Sequence, residues 1–148
     1  MLNRLQDVFA SFQKHNVRYV VIGGIAAILH GVPRATFDLD ILIEATSENA
    51  QNLLDALTDA RLGTASLTTA QEILDNEITI FQDRVRIDVQ TSTPGLEFSK
   101  AWKDRQDMKY QNQHFYVASK PDLIASKLAA GRPVDMEDVK ALRLDEDQ

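Results

Sequence analysis

Residues 20–43 read Val20-Val-Ile-Gly23-Gly24-Ile-Ala-Ala-Ile-Leu-His30-Gly31-Val-Pro33-Arg34-Ala-Thr36-Phe-Asp38-Leu-Asp40-Ile-Leu-Ile43. Tyr19 to Ile22 is a short, wholly apolar strand of β-branched and aromatic residues. The glycine pair closes it and opens a short helix, Gly24 to His30, which Gly31 ends and Pro33 stops. Asp38 to Ile43 is a second strand. Residues two apart in a strand share a face, so Asp38 and Asp40 point one way while Leu39, Ile41 and Ile43 point into the core. A strand, a tight turn, a helix and a second strand in so short a stretch set the class as α/β.

The flanking sequence fits that class. Leu2, Leu5, Val8, Phe9 and Phe12 recur at helical spacing, predicting an amphipathic helix over 2–15. Thr46 or Ser47 caps a helix through Leu53, Leu54 and Leu57 that ends near Gly63, and 69–75 make another helical turn or two. Glu77–Phe81 and Val85–Gln90 alternate and are joined by Gln82-Asp83-Arg84, which predicts a hairpin. Phe98 and Trp102 mark a short helix, and His114 to Val117 an edge strand. Ser119 caps a helix with Pro121 in its first turn, ended by Gly131, and a last helix runs from about Pro133 to Leu142. The tail Asp145-Glu146-Asp147 reads as a frayed terminus. The expected architecture is α/β (α+β), a small mixed β-sheet flanked by helices with a helical C-terminal segment, in a single domain over 1–148.

Composition narrows the chemistry. With 148 residues the chain is long enough for a real core, and 44% hydrophobic content suits a soluble globule. A net charge of −6 argues against a broad nucleic-acid or anionic-membrane surface. The absence of Cys removes disulfides, thiolate catalysis and Cys-based zinc sites. His15, His30 and His114 are too scattered for a histidine metal motif, and His30 reads as satisfying carbonyls at the end of its own helix. The N-terminus lacks a signal-peptide pattern, and the apolar run Tyr19 to Leu29 is too short to span a bilayer, so a cytoplasmic protein is expected.

Two carboxylates aimed at one spot repel each other unless a cation sits between them, and a hard divalent ion, Mg²⁺ or Mn²⁺, takes oxygen ligands. Taken alone, Asp38 and Asp40 are as readily a strand start and an exposed acid. Asp88 adds weight. In Val85-Arg86-Ile87-Asp88-Val89-Gln90 the apolar residues form one face, and Arg86, Asp88 and Gln90 the other. A third carboxylate on a neighbouring strand is what a two-metal phosphoryl-transfer site needs. The competing reading is an ion pair of Asp88 with Arg86 or Arg84 on a solvated face. Gly23 and Gly24 would let backbone approach a phosphate closely, or would simply make a tight turn.

A glycine pair, thirteen intervening residues, Asp-x-Asp in a strand and a later strand Asp resemble the nucleotidyltransferase superfamily that includes DNA polymerase beta. Leu29-His-Gly-Val-Pro-Arg-Ala-Thr-Phe-Asp-Leu-Asp-Ile41 and Lys127-Leu-Ala-Ala-Gly-Arg132-Pro-Val-Asp135-Met-Glu-Asp138 resemble its small bacterial AbiEii-like branch, some members of which act in toxin–antitoxin or defence systems. The resemblance covers roughly 17–142. It implies that Asp38, Asp40 and Asp88 are the catalytic and metal-binding residues, and that Gly23 and Gly24 hold the triphosphate. It further implies Mg²⁺ or Mn²⁺ as cofactor, an NTP as substrate, and transfer of a nucleoside monophosphate to a hydroxyl with release of pyrophosphate.

Arg34 and Thr36 match the family's Arg-x-Thr-x-Asp-x-Asp, with phosphate binding or a loop ion pair and strand-start hydroxyl as their two readings. Lys127 either reaches the triphosphate or snorkels to solvent. Asp135 and Asp138 read as structural, pairing with Arg132 or Lys127. One departure stands out: many active members carry Ser at the second small position, where this chain has Gly24. The acidic balance favours a protein or small-molecule acceptor over long nucleic acid, with a partner protein encoded nearby and no membrane. The competing functions are a non-catalytic, antitoxin-like partner of the same fold, and a regulator that binds NTP without transfer.

Overall fold

The computed structural model describes residues 2–146, with side chains described as far as Leu144. Strand β1, Tyr19–Ile22, is buried at all four positions. A strand apolar on both faces belongs inside a sheet, and β1 is a central strand here. Strand β2, Asp38–Ile43, runs antiparallel to it with Ile22 opposite Asp40. Strands β3, Ile78–Gln82, and β4, Arg86–Gln90, form the expected hairpin. Strand β4 is parallel to β2 and sets Asp88 opposite Asp40 and Arg86 opposite Asp38. Strands β5, Gln106–Tyr110, and β6, Gln113–Val117, complete a mixed sheet of order β3-β4-β2-β1-β6-β5.

That order corrects one expectation. The His114–Val117 segment is not an edge strand, because β6 pairs with β1 on one side and β5 on the other. The edge is β5, which the sequence hides: Gln106-Asp-Met-Lys-Tyr110 is mostly exposed and has no apolar alternation to betray it.

One face of the sheet carries the main core. Helix α1, Gln6–Lys14, follows a 3₁₀ turn at Leu2–Arg4. Helix α3, Ser47–Asp59, starts where the Thr46 hydroxyl accepts the Asn49 N–H at 3.2 Å. Between them Phe9, Phe12, Leu53 and Leu57 bury Leu39, Ile41, Ile43, Ile87 and Val89. Phe9 stacks on Phe115 with ring centroids 4.6 Å apart. A 3₁₀ segment, Gly63–Leu67, and helix α4, Ala70–Asp75, lead into β3.

The other face is covered only in part. Val20, Ile22 and Leu42 pack beneath Leu96, Ala101 and Ala118, with helix α5, Phe98–Asp104, above them. Alternation places Asp38, Asp40 and Asp88 on this same face, past the end of the small apolar cluster. Among the described residues no apolar layer covers them, so the sheet opens there.

Helix α2, Gly23–Leu29, leaves β1 directly and lies against helix α6, Lys120–Ala130. Ser119 caps α6, and Gly131 ends it in the left-handed region at φ 67°. Helix α7, Pro133–Glu146, packs on α6 and runs past the expected end at Leu142. It takes in positions 145 and 146 of the expected frayed tail, and Asp147 lies outside the described residues. His30 departs from expectation as well. Its Nε2 lies 2.8 Å from the Ala118 carbonyl oxygen, so it ties α2 to the β6–α6 junction.

Candidate functional site

A cavity of about 410 Å³ opens on the uncovered face, and all eight residues expected at a site line it: Gly23, Gly24, Arg34, Thr36, Asp38, Asp40, Asp88 and Lys127. Register explains the carboxylate side. Because Ile22 faces Asp40 across the strands, the chain turns into α2 directly beside the Asp40 side chain. Gly23 sits there at φ +70°, and a Cβ on it would come within 2.4 Å of Asp40 Oδ2. Both the backbone conformation and the space exclude an L side chain. Gly23→Ala is expected to lower stability by more than about 1 kcal/mol and to push Asp40 out of place. Urea unfolding measures the first effect and metal-induced melting shifts the second.

Asp40 is the most perturbed acid. Burial, then the charges of Asp88 and Asp38 and a hydrogen bond shared with Asp88, push it up to about 7, and the Arg86 guanidinium offsets this only in part. Asp88 is mostly shielded at 15% side-chain exposure, against 45% for Asp38, which faces the mouth. Arg86 grips Asp88 with two N–H groups, Nε to Oδ1 at 2.9 Å and an η-nitrogen to Oδ2 at 3.3 Å, while its Nε stands 3.7 Å from Asp38 Oδ2. The ion pair weighed against a metal role therefore forms, between a shielded Asp88 and an Arg86 side chain that is 37% exposed.

The opposite wall is basic and is held in place by buried acids. Lys127 is only 4% exposed, so it does not snorkel. Its ammonium donates to Asp138 at 2.7 Å and lies 3.8 Å from Asp135. Asp138 accepts Arg34 on the same oxygen at 3.0 Å. Arg132 forks onto Asp135 at 2.7 and 3.2 Å. Burial pushes Asp135 up, but the Arg132 hydrogen bonds and the nearby ammonium outweigh it and hold the carboxyl below the usual range. Asp135 and Asp138, three apart on one helix, share the face that meets α6. Their pairing with Arg132 and Lys127 follows the sequence reading, and the link to Arg34 ties the α2–β2 loop to the C-terminal helices.

Gly24 has its own explanation. A Cβ there would lie 2.8 Å from an η-nitrogen of Arg34 and 3.1 Å from Thr36 Cγ2. The space a serine would fill is taken by the arginine, whose Nε is buried with no hydrogen-bond partner among the described residues.

Sequence reasoning did not assign Arg86, Gln90, Ser126 or Arg132 to the site, although all line the cavity. Arg86 was detectable from its phase, since it shares a strand face with Asp88. Ser126 and Arg132 needed the packing of α6 against α2. A larger cavity, about 630 Å³, lies around Arg18, Trp102 and Tyr116 and contains neither the carboxylate cluster nor Lys127.

The donor set fits a hard divalent cation in type, being oxygen-only and lacking His or Cys. As they stand, no three His, Cys, Asp or Glu side chains among the described residues are gathered into a group able to hold a metal ion. Among the described residues no helix is long and apolar enough to cross a membrane.

The fold has a solved counterpart. A "putative nucleotidyltransferase" from Thermotoga maritima superposes with a TM-score of 0.61 at 16% identity, over 98% of this chain and 92% of that one. None of the curated proteins matches the chain. The family described as "Nucleotidyltransferase of unknown function (DUF6036)" matches residues 2–147, and with nearly the whole chain covered, the protein belongs to that nucleotidyltransferase family.

Proposed function

We propose that the protein is a divalent-metal-dependent enzyme that transfers a nucleoside monophosphate from an NTP to a hydroxyl acceptor, releasing pyrophosphate. The observation that carries the reading is the two-sided cavity, with three strand carboxylates facing Arg34 and Lys127 across a glycine turn. Asp38, Asp40 and Asp88 would hold Mg²⁺ or Mn²⁺. When bound, the ion supplies charge neutralisation at the reacting phosphate. Arg34 and Lys127 bind the triphosphate oxygens, with Thr36 and the glycine backbone beside them. The acceptor oxygen bonds to the α-phosphorus, the bridging bond to the β-phosphate breaks, and the hydroxyl proton leaves to water at the open mouth beside Asp38. The side chains contribute mainly position and charge.

The finer placement in the AbiEii-like branch, with a toxin–antitoxin or defence role, rests on the wording of residues 29–41 and 127–138. A protein or small-molecule acceptor fits the net charge of −6 better than long nucleic acid. Incubation with each α-labelled NTP, Mg²⁺ or Mn²⁺ and candidate acceptors tests the activity. Label on an acceptor hydroxyl is the expected result. A melting shift with NTP and metal but no label on any acceptor would leave a nucleotide-binding regulator. Neither shift nor label would leave a non-catalytic partner of the same fold.

A further inference from the structure

We infer that Arg86 is a resident cation of the site, holding the position beside Asp88, so that the chain takes one divalent ion where three carboxylates alone would take two. This rests on the metal-dependent reading above and narrows its ligand set, with Asp88 held by Arg86, and Asp40 and Asp38 left for the ion. Three observations carry it. Arg86 engages both Asp88 oxygens, at 2.9 and 3.3 Å. The same guanidinium stands 3.7 Å from Asp38, which places it between two of the three acids. The parallel pairing of β2 with β4 fixes it there, because Arg86 is opposite Asp38 and Asp88 is opposite Asp40.

Chemistry makes the occupation durable. A guanidinium does not deprotonate in a protein, and a forked arginine–carboxylate pair is both stronger and more directional than a lysine contact. A metal ion reaching for Asp88, itself 15% exposed, must first break that fork. Charge agrees: three carboxylates and one guanidinium leave two negative charges, which a single divalent ion balances. Asp40, deeply set and without such a fork, is the acid left for that ion, with Asp38 beside it. Arg86 is thus a positioning residue for Asp88, and it sets how many metal ions enter.

The test is Mn²⁺ binding to the full chain without nucleotide, followed by loss of the free-ion electron paramagnetic resonance signal, for the parent, Arg86→Gln and Arg86→Lys. One Mn²⁺ per parent chain is expected, and two for Arg86→Gln, whose second ion binds at least tenfold tighter than any second ion on the parent. Arg86→Lys, which keeps the charge, should stay at one. Far-ultraviolet circular dichroism verifies folding. If Arg86→Gln does not fold, the parent and Arg86→Lys counts decide alone. Two ions of similar affinity on the parent overturn the inference, while NTP-dependent transfer by the same preparation would leave the enzymatic reading standing. No Mn²⁺ on the parent or either variant, together with no transfer, would overturn both.

Discussion

Replacing Asp40 with Asn is expected to give a protein that melts higher than its parent at pH 8 in the presence of chelator, yet transfers no nucleotide. The stabilisation follows from burial. Asp40 is pushed from 3.8 up to about 7 in the folded chain, with loss of water the leading cause and Asp88 and Asp38 adding to it. Its folded pKa lies above its unfolded one, so its contribution to stability is complete below about pH 4 and is lost as pH rises through about 7. A shift of about three pH units corresponds to roughly 4 kcal/mol at most, or on the order of 10 °C in melting temperature for a chain of this size. Asn removes the charge and with it the penalty.

The same change removes the most perturbed acid of the site, and transfer should fall by at least about 10²–10³-fold. Melting curves from pH 4 to 8 in chelator, run for parent and variant, read the first effect. The two curves should separate progressively between about pH 4 and 7 and stay apart above it. An Asn variant that melts lower than the parent at pH 8 would overturn the burial account. Transfer surviving in a folded variant would overturn the site assignment.

Asp138→Ala is expected to be the most destabilising single change in the C-terminal half. Asp138 is 2% exposed, and one of its oxygens accepts both Lys127 and Arg34. Removing it strands the Lys127 ammonium, itself 4% exposed, with only the 3.8 Å contact to Asp135. Breaking a buried pair from one side costs about 3–5 kcal/mol, because an uncompensated charge stays out of water. Replacing both partners with apolar residues should cost far less. Lys127→Met combined with Asp138→Leu is therefore expected to recover more than half of the loss caused by Asp138→Ala. Urea titrations of the single and double variants close the cycle. Purely additive single effects would show that the pair is not what holds α6 to α7.

The two single changes also separate roles. Asp40 lies where charge is kept at a cost to the fold. Asp138 lies where charge supports the fold and aims two basic groups at the cavity. Arg34, bridged to α7 through Asp138, should lose its set position in Asp138→Ala, so nucleotide-induced melting shifts should shrink in that variant.

The strands and helices around the glycine turn were readable because each is short, strongly patterned and closed by Gly or Pro. Asp38–Ile43 has the same boundaries in the structure as in the sequence. The Thr46 and Ser119 caps and the Gly131 stop also fall where the sequence puts them. Strand β5 was not readable, because it is an edge strand with little burial, and nothing in Gln106–Tyr110 requires a partner. The pairing of β6 with β1 was hidden for another reason. A parallel contact across almost a hundred residues depends on how the helices between the strands pack.

The sequence by itself determined the residue types of the site and their phase. Alternation puts Asp38 and Asp40 on one strand face and Asp88 with Arg86 on another, because side-chain direction in a strand is local geometry. Tertiary structure alone decided what those groups do to each other. The register of β2 against β4 set Asp88 beside Asp40, and the turn at Gly23 brought backbone against the Asp40 carboxylate. The packing of α6 and α7 turned Lys127 inward onto Asp138 rather than outward to water. Charges respond to distance and to burial, and neither is fixed until the strands have paired and the helices have closed over them.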